Sequence, residues 1–313
     1  MLLARVTEDK IASLYRAGKI VGGVFLGKGQ EALSAAVGMA LRKGDAFAPL
    51  IRDQAGRMAF GESLLDCTRT YMGTRSGPMR GRDGNIHRGR PSEGILPMIS
   101  HLGAMIPAVA GVLMAHRFKG IRDTVGATCI GDGGTSTGAF HEGLNLAAVE
   151  RLPLVVVVAN NQYAYSTPNH RQFVCMDLVD KAAGYGIEGH SADGTCLENC
   201  LEVVGGAIKR ARGGAGPQLV VASLLRLGGH GEHDDGSYID PKLRQTLVGR
   251  DCLKLAEEKI VSNQWATREE IGSWQTQALQ QVDAAVATTL REALPDPAQE
   301  DWCAISTRRL SEG

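Results

Sequence analysis

Excess charge of either sign, a membrane-length apolar run and a paired-cysteine motif are all missing from this 313-residue chain. Thirty-four basic residues balance 34 acidic ones, so no overall field draws it toward nucleic acid or an anionic membrane. Aromatic residues are 5% of the total and do not interleave with a basic patch, which leaves no platform for stacked bases. The longest apolar block, LPLVVVVA, falls far short of the roughly 20 residues that cross a bilayer. MLLARVTEDK carries no apolar run of secretory length. The expectation is a soluble, cytoplasmic protein with no nucleic-acid or membrane partner. Seven cysteines form no CxxC pair, and Cys196 and Cys200 lie in a segment without nearby histidines, so reduced thiols are expected. Neither an internal repeat nor a low-complexity tract interrupts the chain.

What is abundant is glycine, 40 residues without a Gly-X-Y period, which implies many tight turns and close backbone approaches. The length allows two domains or one large α/β unit. Apolar spacing predicts helices over 7–20 and 29–41, then a long irregular segment over 72–97, rich in glycine, arginine and proline. A small-residue helix follows over 101–118, then a strand over 124–130, a helix over 137–152, a continuous β-branched strand over 152–159 and a further strand over 218–227. Alternation of this kind predicts an α/β three-layer sandwich with a mostly parallel sheet. From 241 onward the pattern is amphipathic and helical, over 251–264 and 268–294. The division expected is an α/β domain over 1–240 and a C-terminal helical extension of it over 241–313.

The stretch from Ile130 to Pro168, IGDGGTSTGAFHEGLNLAAVERLPLVVVVANNQYAYSTP, opens at a glycine-rich turn at the carboxyl end of a strand, where open α/β sheets place ligands. Backbone amides at Gly133 and Gly134, with the positive end of the following helix, suit a phosphate. A dinucleotide fingerprint needs glycine at the third place of G-x-G-x-x-G, and Ser136 stands there instead. Asp132 and Asn161 both follow strand ends, and adjacent parallel strands would bring them side by side. A carboxylate, an amide oxygen and a nearby main-chain carbonyl are hard ligands suited to magnesium, whose remaining places go to water or phosphate oxygens. The plainer alternative makes Asp132 a helix cap and NNQYAYST an ordinary turn.

Gly-Asp-Gly, 26 intervening residues and Asn-Asn is the spacing of the thiamine diphosphate signature. The whole run, with its continuation GAFHEGLNLAAVERLPLVVVVANNQYAYSTP, resembles the alpha subunit of the decarboxylating first component of 2-oxo acid dehydrogenase complexes, the group of the pyruvate, branched-chain and acetoin enzymes. The resemblance covers about Lys10 to Pro295. It implies a thiamine diphosphate-binding fold and magnesium held by Asp132, Asn161 and the carbonyl of Tyr163, with the diphosphate at Gly133 and Gly134. It also implies oxidative decarboxylation of a small 2-oxo acid with acyl transfer to a lipoyl-bearing acyltransferase. The glutamate that activates the cofactor would come from a separate beta subunit, as a two-alpha, two-beta assembly. The alternatives are an acetoin dehydrogenase alpha subunit and a noncatalytic cofactor-binding subunit.

The same resemblance assigns the remaining sites. Arg52, in APLIRDQAG, matches the arginine at the diphosphate, while Ile51 and Gln54 depart from the usual tyrosine and histidine, so one phosphate hydrogen bond is missing. In MISHLGAMIP, the backbone at Ser100 and Leu102 would hold the aminopyrimidine ring and the Leu102 side chain would support the bent cofactor. Ala104 and Met105 replace the threonine and glutamine of a structural potassium site, and none is expected. His230 matches the histidine at cofactor and substrate, and is the expected catalytic residue. Judged on residue types alone, His230, His233, Asp234 and Asp235 could instead form a metal site. Gly231 replaces the phosphorylated serine of mitochondrial members. His87 and His101 are further candidates near the entrance and the substrate pocket. Gly22 to Lys28 fit the start of a phosphate loop, but Gly29 stands where a hydroxyl must reach magnesium.

Overall fold

The computed structural model describes residues 1–83 and 86–300. A five-stranded sheet with parallel pairing throughout forms its middle layer. The strands are β1 (Ala46–Ala48), β2 (Gly126–Gly131), β3 (Leu154–Asn160), β6 (Glu188–Asp193) and β7 (Gln218–Ser223), in the spatial order β1-β2-β3-β7-β6. At the carboxyl end of β3 the chain forms a small antiparallel ribbon, β4 (Tyr163–Ala164) with β5 (Thr167–Pro168).

The apolar run of β3 explains the layers. Leu154, Val156 and Val158 join one core with Ile106 and Leu113 of α5 (Met105–Phe118) and Phe140 and Leu144 of α6 (Gly138–Val149). Val155 and Val157 join the other, with Leu33 and Val37 of α2 (Glu31–Ala40) and Val204 of α7 (Leu197–Arg210). Alternate residues thus point to opposite faces, and both faces are covered by helices, so the strand reads as unbroken hydrophobicity. Outside α2 lie α1 (Leu2–Arg16), α3 (Gln54–Phe60), α4 (Leu64–Tyr71), α8 (Cys252–Ser262) and α9 (Arg268–Thr289). Packing of α9 against α1 and α4 is sealed by a buried Thr68 to Thr289 hydroxyl pair at 2.8 Å and by Arg69 on Glu292. Residues 301–313 of the expected C-terminal extension lie outside the described residues.

Several boundaries differ from expectation. The first helix spans Leu2–Arg16 rather than 7–20, because Gly18 takes a left-handed turn at φ 68°. The last sheet strand stops at Ser223 rather than 227. β1 and β6 were not anticipated: β1 is three residues long, and β6, EGHSAD, is a polar edge strand without apolar alternation. The described residues of the segment 72–97 are irregular, apart from a 3-10 turn at Pro91–Glu93 and two bridges to Ile95, while Arg88 among them is buried. Among the described residues, no helix is long and apolar enough to cross a membrane.

Candidate functional site

Parallel pairing sets the end of β2 beside the end of β3, with Gly131 the register partner of Ala159. From β2 the chain enters a 3-10 turn, Asp132–Ser136, and α6 starts only after Thr137, whose hydroxyl accepts from the Phe140 amide at 3.3 Å. A 3-10 turn thus separates the glycines from α6, whose start at Gly138 lies one residue from the expected 137, and Thr137 rather than Asp132 caps it. From β3 the chain passes through Asn160 and Asn161 to Gln162, which is left-handed at φ 76°. A non-glycine residue there costs roughly 1 to 3 kcal/mol, a strain that clusters at ligand sites.

A cavity of about 290 Å³ opens at these strand ends. Asp132, Gly133, Gly134, Asn161 and Tyr163 line it, and so do Arg52, Leu102 and His230. Neither glycine has room for a side chain: a Cβ at Gly133 would stand 2.4 Å from that of Ala164, and one at Gly134 would stand 2.5 Å from Ile130 Cγ1. Bare backbone thus faces the space. Ser100 is outside the wall, exposed, with its hydroxyl 2.9 Å from His87 Nε2, while His87 Nδ1 meets Asp83 at 2.5 Å. His101 is likewise exposed and lines a separate small recess. Gln54 also turns away, toward Glu62, Arg88 and Cys67, whereas Ile51 forms part of the wall.

Unpaired polar atoms mark the kind of ligand that fits. Asn161 is buried, its amide donates to Gln30 Oε1 at 3.2 Å, and its own Oδ1 has no partner among the described residues. Gln30 Nε2 is a buried donor equally without a partner. Such atoms cost about 1 to 3 kcal/mol each when left unsatisfied. Burial raises the Asp132 carboxyl above its ordinary value, opposed by the Gln172 amide at 2.8 Å. A buried carboxylate beside an unused amide oxygen suits a hard cation, and an unused N–H suits an anion. The Tyr163 carbonyl already accepts from Arg226 at 3.3 Å, leaving it one lone pair.

Two arginines bring positive charge to the same wall. Arg52 donates to the carbonyls of Leu26 at 2.9 Å and His230 at 2.6 Å. Arg226 donates to the carbonyls of Tyr163 and Tyr165 and to the Tyr238 hydroxyl. Neither makes an ion pair among the described residues. Burial, then repulsion by Arg226, lowers Arg52 to about 10, which leaves it charged at neutral pH. Burial, then both arginines, lowers His230 to about 4, so its ring is neutral. Arg52 approaches Nδ1 of that ring at 3.4 Å, so the ring hydrogen sits on Nε2. No group of three or more His, Cys, Asp or Glu converges among the described residues, so His230, His233, Asp234 and Asp235 do not assemble the alternative metal site. Lys28, of the phosphate-loop reading, pairs at the surface with Asp9.

Gln30, Arg226 and Gln172 were not singled out from sequence. Gln30 had a signal in GKGQEAL, which opens a helix beside the glycine turn. Arg226 sits in an apolar stretch and Gln172 in a polar loop, with nothing local to mark either.

Comparison with known proteins agrees with this geometry. The dehydrogenase E1 component profile matches residues 1–298. The alpha subunit of acetoin:2,6-dichlorophenolindophenol oxidoreductase from Cupriavidus necator is 33% identical, covering 96% of this chain and 90% of that protein. The pyruvate dehydrogenase E1 component alpha subunit of Porphyra purpurea is 30% identical, over 95% and 88%. That of Rhizobium meliloti is 28% identical, over 96% and 84%. With nearly its whole length matched, the chain belongs to the dehydrogenase E1 component family, among the alpha subunits of 2-oxo acid dehydrogenase first components.

Proposed function

We propose that this chain is the alpha subunit of a cytoplasmic, thiamine diphosphate- and magnesium-dependent enzyme that decarboxylates a small 2-oxo acid and passes the acyl group to a lipoyl-bearing acyltransferase. The observation that carries the reading is the partnerless buried Oδ1 of Asn161 beside buried Asp132, in a cavity with two arginines free of carboxylates. Asp132, Asn161 and the Tyr163 carbonyl would hold the metal, with Gly133, Gly134 and Arg52 at the diphosphate. Backbone groups of Ser100 and Leu102, and the Leu102 side chain, would support the rings. When bound, thiamine diphosphate supplies a nucleophilic carbon that takes up the electron pair released with carbon dioxide. His230, neutral and with its hydrogen on Nε2, is the group able to donate a hydrogen bond to cofactor or substrate and to exchange a proton there.

Among the described residues, the helices α8 and α9 follow the last strand of the sheet. A beta subunit would supply the glutamate that activates the cofactor, in a two-alpha, two-beta assembly, with 1–240 as the cofactor domain and 241–313 as its helical extension. A second reading, an acetoin-cleaving enzyme, is favoured by the 33% identity to the Cupriavidus necator protein.

Calorimetry on the chain co-expressed with its beta subunit tests the proposal. Thiamine diphosphate should bind the wild type only with magnesium present, and Asp132→Asn should abolish that magnesium-dependent binding. The chain alone should show little decarboxylation. Assays with pyruvate, branched 2-oxo acids and acetoin then separate the two substrate readings. Metal-independent binding, or none, defeats both.

A further inference from the structure

Gln172 lies just beyond the β4-β5 ribbon and bridges it to the glycine turn. Its Nε2 donates to Asp132 Oδ2 at 2.8 Å and to the Thr167 carbonyl at 2.8 Å. Both partners are acceptors without hydrogens, so the amide has one acceptable orientation; turned over, Oε1 would face two oxygens. The backbone is pinned as well, because Ser136 Oγ donates to the Gln172 carbonyl at 3.0 Å and the Gln172 N–H donates to the Asn169 carbonyl at 2.9 Å. With the donor side committed, Oε1 points toward the turn. It is buried, has no partner among the described residues, and lies 3.4 Å from where a Cβ on Gly133 would stand.

Two partnerless buried acceptors therefore accompany Asp132: Asn161 Oδ1, already placed among the proposed ligands, and Gln172 Oε1, which has no role so far. Magnesium keeps several waters, and these are strong donors that need fixed acceptors. Groups that aim a ligating carboxylate and accept from metal-bound water carry much of a site's affinity without touching the ion.

We propose that Gln172 is a positioning residue of the cation site, whose N–H holds the Asp132 carboxylate in its ligating orientation and whose Oε1 accepts a hydrogen bond from a water of the cation's shell. This rests on the cofactor reading given above. It adds a requirement that reading does not make: removal of a side chain that is not a ligand should weaken the metal selectively.

The test uses the assembled alpha-beta complex and manganese as probe. Free manganese is counted by electron paramagnetic resonance at saturating thiamine diphosphate, for wild type and Gln172→Met, which keeps the volume and removes both polar atoms. The manganese Kd is expected to rise ten- to a hundredfold. The thiamine diphosphate Kd at saturating manganese should change less than threefold, whereas a merely structural role would weaken both together. Water-proton relaxation by the bound manganese should also differ from wild type. A manganese Kd raised less than tenfold, or equal weakening of both ligands, overturns the inference. Gln172→Ala is read the same way should the methionine variant fail to assemble. If wild type itself binds no manganese, the cofactor reading fails, an outcome distinct from a wild type that binds and a Gln172→Met variant that binds equally well.

Discussion

Two pairs of buried arginines divide the molecule. Arg88 spans both oxygens of Glu62, at 2.8 and 2.9 Å, and Arg57 reaches the same carboxylate at 3.2 Å. All three side chains are at most 5% exposed. Arg52 and Arg226 are buried too, yet among the described residues they meet carbonyls, a hydroxyl and a neutral ring nitrogen, and no carboxylate. A buried charge without a counter-charge is expensive, and the chain tolerates two of them at one cavity. What the contrast teaches is where the compensating charge comes from: Glu62 supplies it within the fold at the first pair, and at the second the proposed diphosphate would.

The contrast breaks most visibly at Arg88. Arg88→Met leaves Glu62 with Arg57 as its one counter-charge among the described residues and should cost about 3 to 5 kcal/mol, read from urea denaturation; a loss under about 1 kcal/mol means that the first pair is not a closed unit. Arg52→Met strands no carboxylate. Its stability should stay within about 1 kcal/mol of wild type, while thiamine diphosphate affinity of the alpha-beta complex drops at least tenfold, the size of one charged hydrogen bond. Calorimetry and denaturation on the same sample decide whether the two arginine pairs differ as described.

Titration sharpens the comparison further. His230, beside the second pair, is lowered from 6.5 to about 4, so the unfolded chain binds the extra proton and this contribution to stability is lost as pH falls from about 6.5 through 4. Glu8 accepts from the Gly27 amide at 2.8 Å, and its Oε2 has no partner. Burial, then repulsion by Glu31, raises Glu8 to about 8, so its contribution is present below about 4.5 and is lost as pH rises through 8. Between about pH 4.5 and 6.5 the two slopes oppose each other, so denaturation midpoints should fall with rising pH there in His230→Asn, while Glu8→Gln should make them rise there and lose their slope between pH 6.5 and 8. The smallest effect is a control far from both pairs. Thr267 and Glu270 cap each other at the start of α9, and Thr267→Ala should cost about 1 kcal/mol with cofactor binding unchanged.

How much was legible follows from the range of the forces. β3, α6 and the turn between β2 and α6 were readable because alternation, helical period and glycine act over a few residues. β6 was not, since an edge strand with polar faces has no pattern until β7 lies beside it. Eight expected residues meet at the cavity, while Ser100, expected there through its backbone, is not part of its lining and its hydroxyl meets His87. Gln172 and Arg226 enter through contacts with Asp132 and Tyr163 that no local spacing announces.

By itself the sequence determined the layering, because β-branched runs flanked by small-residue helices can be buried in few other ways, and it determined the chemical types at the turn. Only the tertiary structure decided which arginines keep a free charge. Arg52 and Arg57 are five positions apart and alike in sequence, and what separates them is whether the fold turns a carboxylate, that of Glu62, or only carbonyls, those of Leu26 and His230, to the guanidinium. Charge compensation acts through space, so it becomes visible only once the chain has folded.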